Sequence, residues 1–233
     1  MDHSAQYRHE FKYRCSAVQM QILRNRICHL MPLDAHVTGG QYTIRSLYFD
    51  NYANRCYYEN ENGTDPREKF RIRIYNANPE RIQLECKRKQ AGKTLKTSCP
   101  LTQDVFLKLL NGTPPEIHPS DPAVLKKFIT LYQTQYYRPS VIVEYDRVPF
   151  VYPHGNVRVT FDMNIRSSNQ FDCFLKPQLA TRPILPTGQH LVEVKYDELL
   201  PGFIKDSLQI ADLQQSTFSK YYLCKKYALG GIL

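Results

Sequence analysis

The segment 69–75, Lys-Phe-Arg-Ile-Arg-Ile-Tyr, constrains the fold more than any other part of the chain. Successive side chains of a β-strand point to opposite faces of the sheet, so this strand would have one cationic face and one apolar face. The cationic face holds Lys69, Arg71 and Arg73, and the apolar face holds Phe70, Ile72 and Ile74. Segments 8–14, 82–87, 157–163 and 191–196 alternate in the same way. The pattern predicts several strands that each join an apolar face to a charged one.

A glutamate stands two residues before a lysine in three of these strands. The pairs are Glu10 with Lys12, Glu85 with Lys87, and Glu193 with Lys195. Exposed strand faces usually mix both charge signs with neutral polar residues. The faces found here are dominated by arginine and lysine, which is unusual for a surface that only meets solvent.

Two interpretations of the charged faces are open. In an ordinary half-buried sheet they point to water and the apolar faces form the core. In the alternative, the charged faces converge on a hydrated lumen that holds a multivalent anion, since burying unpaired ions is costly. Arginine suits bidentate phosphate contacts, and a lone carboxylate among cations suits a divalent metal that accompanies phosphates. The second interpretation therefore predicts a phosphate-binding barrel.

Strand and helix signals alternate along the whole chain. Strands are predicted at 7–14, 43–50, 54–60, 69–75, 82–89, 94–99, 141–148, 157–163, 172–175 and 191–196. Ser16 and Gln19 form a capping-box pattern at the start of a helix that runs to about residue 30. Further helices are predicted at 102–112, 121–132, 203–212 and 216–227. The fold class is α+β: one domain over residues 1–233, with a closed antiparallel β-barrel and helices packed outside.

Composition narrows the functional classes. The chain of 233 residues carries a formal net charge of +9, which favours a polyanionic partner. Its seven cysteines are scattered without a C-x-x-C motif, which argues against a disulfide framework or zinc site and favours a reducing cytoplasm. No apolar run approaches the ~20 residues that span a bilayer, although a membrane-protein partner stays compatible with the sequence. A nucleic-acid partner is disfavoured, because aromatic residues such as Phe70 fall opposite the cations instead of among them.

In order and spacing, the motifs resemble the polyphosphate polymerase domain of the vacuolar transporter chaperone (VTC) complex. That domain belongs to the triphosphate tunnel metalloenzymes of the CYTH-like superfamily. The resemblance covers nearly the whole chain, and its motifs start at the residues Arg8, Arg45, Lys69, Leu84, Glu144, Arg158, Glu193 and Phe218. It implies a tunnel of about eight antiparallel strands in which basic side chains bind a nucleoside triphosphate.

The resemblance also implies roles for individual residues. The catalytic phosphate-binding set is Lys12, Arg71, Arg73, Lys87, Arg147 and Arg158. Further substrate-binding positions are Glu10, Arg45, Lys69, Glu85, Lys96, Tyr145, Lys195, Ser219 and Lys220. Glu193 would hold Mn²⁺ or Mg²⁺. Tyr145 shares its strand parity with Val141 and Val143, so a bulge or a strand end is expected nearby.

Two aspartates have roles other than phosphate binding in this interpretation. Asp50, which precedes Asn51, reads as a turn-forming residue at the end of a strand. Asp162 shares its parity with Arg158, so it is either a salt-bridge partner or a helper of the metal ligand. For Asp162 the sequence favours neither the salt bridge nor the metal-helper role.

One departure separates this chain from the wider tunnel superfamily. Tunnel triphosphatases usually open with E-x-E-x-K, whereas this chain reads Arg8-His-Glu10-Phe-Lys12. Arginine in place of a metal-binding carboxylate favours transfer to a phosphate chain over hydrolysis. The predicted function is ATP-dependent synthesis of inorganic polyphosphate, so ATP and polyphosphate are the expected partners. A metal-dependent triphosphatase and a non-catalytic polyphosphate-binding module are the alternatives.

Overall fold

A single antiparallel sheet organises the molecule. The computed structural model describes residues 6–37, 39–210 and 213–230. The strands are β1 (His9–Ser16), β2 (Tyr42–Asp50), β3 (Arg67–Tyr75), β4 (Asn78–Gln90), β5 (Lys93–Leu101), β6 (Arg138–Tyr152), β7 (Val157–Ser168), β8 (Arg182–Pro183) and β9 (Gln189–Tyr196). Their order across the sheet is β1-β9-β7-β6-β2-β3-β4-β5, and β8 is added beside β7.

Six helices accompany the sheet in the described part of the chain. They are α1 (Ala17–Cys28), α2 (Arg55–Glu61), α3 (Gln103–Leu110), α4 (Ala123–Thr134), α5 (Gly202–Ser207) and α6 (Lys220–Ala228). The predicted capping box is present, because the Ser16 side chain accepts from the Gln19 amide and the Gln19 side chain accepts from the Ser16 amide. Thr102 caps α3 in a similar way, and Ser219 caps α6.

Two predicted strands and two predicted helices differ from the structure. The helix predicted at 216–227 begins only at Lys220, because Ser219 is its N-cap. Residues 54–60 fall on helix α2, because Asp50 and Asn51 accept hydrogen bonds from the amides of Cys56 and Arg55 at the start of that helix. Residues 171–173 form a short 3-10 turn where a strand was predicted. Helix α5, predicted to reach Asp212, ends at Ser207, and residues 211 and 212 lie outside the described part.

The sheet curls but does not close into the predicted barrel. It is open between β1 and β5, which are joined by one isolated bridge, with two backbone hydrogen bonds of 2.9 Å between Arg8 and Thr94. Further along β1, the chain that leads to α6 takes the place of a neighbouring strand. There Tyr13 pairs with Gln215, and the Ser216 amide donates to the Lys12 carbonyl at 2.8 Å. The expectation of full closure is therefore wrong, because this segment occupies part of the edge of β1.

The helices cover the apolar faces of the strands. On β3, Phe70 and Ile72 are buried, and Phe128 of α4 packs on Phe70 with ring centroids 5.3 Å apart. A second hydrophobic cluster places Leu23 and Ile27 of α1 among apolar residues of β6, β7 and β9. Burying one such side chain contributes roughly 1.5–3 kcal/mol. With the apolar faces covered from outside, the alternating cations of the strands face the concave side of the sheet.

Candidate functional site

Strand register brings the predicted charged residues together on the concave side, here called the inner face. Lys12 of β1 lies opposite Glu193 of β9, and Lys195 of β9 lies opposite both Glu10 and Arg158. Across other strand pairs, Arg147 lies opposite Asp162, Arg71 opposite Glu85, and Lys87 opposite both Lys69 and Lys96. The inner face therefore collects residues from seven strands, several of them far apart in sequence.

The deepest part of the inner face is a cluster around Asp162. Arg147 donates to both carboxylate oxygens of Asp162, from Nε at 2.6 Å and from Nη2 at 2.7 Å. The Lys220 Nζ, at the start of α6, lies 2.6 Å from the same carboxylate. Burial by itself would raise the pKa of Asp162, but Arg147 and Lys220 outweigh it and the pKa is lowered. Asp162 is thus the anionic anchor of two cations.

Glu193 stands beside that anchor with four cations around it. Its Oε2 accepts from Arg147 Nη2 at 3.0 Å and from Lys195 Nζ at 3.1 Å. Its Oε1 lies 3.6 Å from both Lys12 and Lys220. Burial opposes ionisation, yet these cations hold the pKa of Glu193 well below its usual value. The carboxylate is therefore ionised at neutral pH.

Glu10 is a further carboxylate that anchors two cations, and it lies nearer the opening between β1 and β5. Its carboxylate binds Lys12 at 2.9 Å and Lys87 at 2.7 Å. The pKa of Glu10 is lowered because these lysines outweigh the effect of burial. The pKa of Lys87 is lowered to about 8 by burial and by the nearby Lys12 and Lys195, with Glu10 partly offsetting them. Lys87 is thus a cation whose proton is held only moderately tightly.

A third carboxylate, Glu85, serves the arginines of β3. Arg71 contacts it at 2.7 Å, Arg73 at 3.6 Å, and the more exposed Lys96 at 3.2 Å. Arg71 also donates to the Tyr48 hydroxyl at 2.8 Å, and Arg73 Nε donates to the hydroxyl of Ser46 at 3.1 Å. Both guanidinium groups are therefore oriented by neutral partners as well as by the carboxylate.

Tyr145 and Lys69 also lie on the inner face, near the start of helix α6. The buried ring of Tyr145 lies 4.7 Å from Lys220 Nζ and 5.2 Å from the Arg147 guanidinium, which is favourable cation–π geometry. Lys69 donates to Asn60 at 2.7 Å and to the Ser219 hydroxyl at 3.2 Å. Its pKa falls to about 7 because of burial and the nearby Arg67.

A bulge in the β6–β7 pairing follows Glu144, as the parity of Tyr145 requires. Val141 and Val143 nevertheless share a hydrophobic cluster with Tyr221 and Cys224 of α6. Because α6 also packs against β6, these valines belong to an apolar region that includes the helix, which accounts for apolar residues at inner-face positions.

Arg158 marks the opposite end of the inner face. Its Nη2 donates to the Tyr42 hydroxyl at 3.0 Å and lies 2.9 Å from Asp34. A third of the Arg158 side chain is exposed, so it stands at the rim and not in the deep cluster. Asp34 belongs to the loop between α1 and β2, and no strand pattern pointed to it.

The structure corrects the expected position of Arg45. Its guanidinium lies on the outer side of β2, paired with Glu144 and donating to the carbonyls of Phe174 at 2.8 Å and Lys176 at 2.6 Å. Buried there, it holds the segment after the 3-10 turn against the sheet. Its parity with Leu47 and Phe49, both core residues, was the signal for this position.

Asp50 has a larger role than a turn. It accepts hydrogen bonds from the amides of Asn51, Cys56 and Tyr57, and from the hydroxyl of Tyr221 on α6. It therefore joins the end of β2 and the start of α2 to the helix that carries Ser219 and Lys220. A sequence pattern cannot reveal a contact between residues 50 and 221, so this positioning role was missed.

The chemistry of the inner face fits a divalent cation at one carboxylate. Within residues 6–37, 39–210 and 213–230, no group of three or more His, Cys, Asp or Glu side chains could hold a metal. The Oε1 of Glu193, however, has its nearest cations at 3.6 Å, beyond normal hydrogen-bond distance. Mg²⁺-type sites use one or two carboxylates together with substrate phosphates and water. Glu193 therefore fits as a single protein ligand whose remaining partners come with a substrate.

Comparison with known proteins agrees with this geometry. A curled antiparallel sheet with a cationic inner face and helices outside defines the triphosphate tunnel class of fold. The chain belongs to the VTC domain family, whose profile matches residues 7–228. A search of curated proteins finds no match.

Two solved structures share the fold at low sequence identity. HpAC1 from Hippeastrum, a candidate adenylyl cyclase described as having a dominant triphosphatase activity, is 15% identical over 98% of each chain, with a TM-score of 0.53. A candidate adenylate cyclase from Bacillus halodurans is 14% identical, covering 88% of this chain and 87% of that one, with a TM-score of 0.50. At this identity the likeness concerns the fold alone.

Proposed function

We propose that this protein is a polyphosphate polymerase that transfers the γ-phosphate of ATP to a growing chain of inorganic polyphosphate. The observation that carries the proposal is the shared anchoring of Arg147 and Lys220 on buried Asp162, next to Glu193. Cations fixed by carboxylates before a ligand arrives suit the stabilisation of a multiply charged phosphate chain. Membership of the VTC domain family supports the same assignment.

Phosphoryl transfer needs alignment and charge stabilisation more than covalent catalysis. We assign Arg71, Arg73, Arg147 and Arg158 to the triphosphate, because guanidinium groups bind phosphate oxygens in pairs. Tyr145, Lys220, Lys69 and Ser219 would hold the inner end of the same ligand. Lys12, Lys87, Lys96 and Lys195 would bind the acceptor chain. Glu10 and Glu85 act on phosphate only indirectly, by positioning these cations.

The proposed reaction exchanges one phosphoanhydride bond of the γ-phosphate for another. An oxygen of the terminal phosphate of the chain forms a bond to the γ-phosphorus of ATP. The bond from that phosphorus to the β–γ bridging oxygen breaks, and ADP leaves with the oxygen. The attacking oxygen is already ionised, so the reaction needs no general base. This agrees with an inner face whose charged groups are paired cations and carboxylates.

Glu193 is the residue that we propose as ligand of Mn²⁺ or Mg²⁺. When bound, such an ion neutralises charge on phosphate oxygens. Arg147 and Lys195 fix the Glu193 carboxylate through Oε2, so Oε1, which lies 3.6 Å from Lys12 and Lys220, is the oxygen that would bind the ion.

A tunnel triphosphatase is the second candidate, favoured by the activity described for HpAC1. Arg8 stands at the position where tunnel triphosphatases usually have a metal-binding carboxylate, and it pairs with Asp197 at 2.7 Å. An arginine in place of that carboxylate supports transfer over hydrolysis. A third candidate is a module that binds polyphosphate without turning it over. We also propose one domain over residues 1–233, a cytoplasmic location and a membrane-protein partner. Within the described residues, no helix is long and apolar enough to cross a membrane.

The deciding experiment incubates the purified protein with ATP and Mn²⁺ and follows two products. Polymer is resolved as a ladder on a gel, and free phosphate is measured in the same reaction. A ladder with ADP in equal amount to the polymerised phosphate supports the polymerase. Free phosphate without polymer would instead identify a triphosphatase, and polyphosphate binding without either product would identify a binding module.

A further inference from the structure

Two tyrosines stand at the rim of the inner face, where Arg158 also lies. Tyr42 begins β2 and Tyr75 ends β3, and their ring centroids are 5.7 Å apart with the planes inclined by 66°. Both residues are half-buried, so part of each ring meets solvent. Their strand parity is that of Ser46 and Arg73, which places them on the inner face.

The tyrosine pair directly adjoins the cations assigned to the triphosphate. The Tyr42 hydroxyl accepts from Arg158 at 3.0 Å, and Tyr42 lies opposite Arg147 in the β2–β6 pairing. Tyr75 follows Arg73 on the same strand face. Burial would raise the pKa of Tyr75, but Arg73 outweighs it and the pKa is lowered, in keeping with their proximity.

One face of Tyr75 is already used by a flat group. The guanidinium of Arg81, an exposed residue of β4, lies over the ring at 5.8 Å from its centroid. An exposed arginine can move aside at little cost. This ring face is therefore suited to planar, π-stacking ligands.

Orientation of Arg158 accounts for the Tyr42 hydroxyl, but not for the partly exposed ring of Tyr75 at the end of a row of cations. A nucleoside triphosphate has the matching asymmetry, with a flat base at one end and phosphates at the other. Stacking of a base on an aromatic side chain is worth about 1–3 kcal/mol, and a value towards the lower end of that range, about 1.4 kcal/mol, is a tenfold change in affinity.

We propose that Tyr42 and Tyr75 form the nucleoside subsite of this protein. The base stacks on the face of Tyr75 next to Arg81, the ribose passes Tyr42, and the triphosphate extends inward to Arg73 and Arg147. This inference rests on the proposed function, since it assumes that the inner face takes a triphosphate. Because every base has a π-face, the subsite tolerates different bases and favours the larger purines.

The test compares two ligands that differ in the base, ATP and inorganic tripolyphosphate. Their affinities are measured by calorimetry for the unaltered protein and for Tyr75→Ala, Tyr75→Phe and Tyr52→Ala. Tyr52 is 86% exposed and serves as the matched control. We expect Tyr75→Ala to weaken ATP binding about tenfold and to leave tripolyphosphate binding unchanged. Tyr75→Phe keeps the ring and should bind ATP as the unaltered protein does.

The outcomes separate this inference from the proposed function. Equal loss of both ligands in Tyr75→Ala, or no loss of either, overturns the nucleoside subsite while leaving a triphosphate site in place. Failure of the unaltered protein to bind either ligand overturns both. Retained tripolyphosphate binding in Tyr75→Ala also shows that the variant is folded.

Discussion

Arg147 and Asp162 form a two-point ion pair in the interior of the curled sheet, with hydrogen bonds of 2.6 and 2.7 Å and no exposed surface on the aspartate side chain. The same carboxylate holds Lys220 at 2.6 Å. A central strand pair and the C-terminal helix α6 therefore share one buried anion. This relationship makes the charged cluster both a structural element and a candidate site.

Replacing Asp162 with asparagine should be strongly destabilising. Arg147 and Lys220 would remain buried without their main counter-charge, and breaking a buried pair on one side costs about 3–5 kcal/mol. Urea unfolding monitored by circular dichroism measures the free energy of unfolding. Asp197→Asn is the control, since its pair with Arg8 is partly exposed and should cost about 1 kcal/mol or less. Equal effects of the two substitutions would contradict the anchoring role of Asp162.

Arg73→Ala and Lys87→Ala should abolish chain growth while the protein stays folded. Each removes one preorganised cation from the phosphate path, and losing such a donor typically slows catalysis on the order of 10²–10³-fold. Polymer yield and thermal melting are measured together. Lys93→Ala, which removes an exposed cation at the β4–β5 turn, is the charge-matched control. Polymer yield at the unaltered level from either inner-face variant would refute the assignment of the inner face.

Lys69 should make stability depend on pH. Its pKa is about 7 in the folded protein, whereas an unfolded lysine has a pKa of about 10.4. Between these values the unfolded chain binds the extra proton, so the contribution of Lys69 to the free energy of unfolding rises with pH. The melting temperature of the unaltered protein, relative to Lys69→Met, should therefore increase by a few degrees from about pH 6.5 to about pH 9.5. If the melting temperatures of the unaltered protein and of Lys69→Met changed equally with pH, Lys69 would have an ordinary pKa.

The hydrogen bond from Tyr221 to Asp50 should fix helix α6 to the sheet. Tyr221→Phe removes a buried donor and leaves an acceptor of Asp50 less satisfied, at an expected cost of about 1–3 kcal/mol. Hydrogen exchange at the α6 amides should accelerate as well, because the helix is less firmly attached. Tyr222→Phe is the neighbouring control, since its hydroxyl bonds to Glu61 near the surface. Slower or unchanged exchange in Tyr221→Phe would argue that packing alone holds α6.

Alternation along the strands allowed the inner face to be predicted, because period-two patterning is local and the E-x-K pairs recur. The pattern and the family resemblance together predicted Lys12, Arg73 and Lys87 on the inner face. In the structure these residues form ion pairs there with Glu10 and Glu85. The pattern does not say which parity faces inward on a strand with a single cation. Arg45 was misplaced for that reason, although its parity with Leu47 is that of the outer core.

Long-range contacts set the limits of prediction from sequence. Asp50, which accepts from an amide of helix α2, also accepts a hydrogen bond from Tyr221, 171 positions further along the chain. The open edge of β1 results from residues 215 and 216, which are some 200 positions away in the chain. The rim tyrosines Tyr42 and Tyr75 meet only once the sheet is formed. None of these contacts has a local signature.

Determining the location of bound tripolyphosphate by crystallography is the most direct test of the proposal that the strand cations surround a phosphate path. We expect phosphate density on the concave side of the sheet, within hydrogen-bond distance of Arg71, Arg73 and Arg147. Density confined to the convex surface, with the ion pairs of Asp162 and Glu193 unchanged, would contradict it.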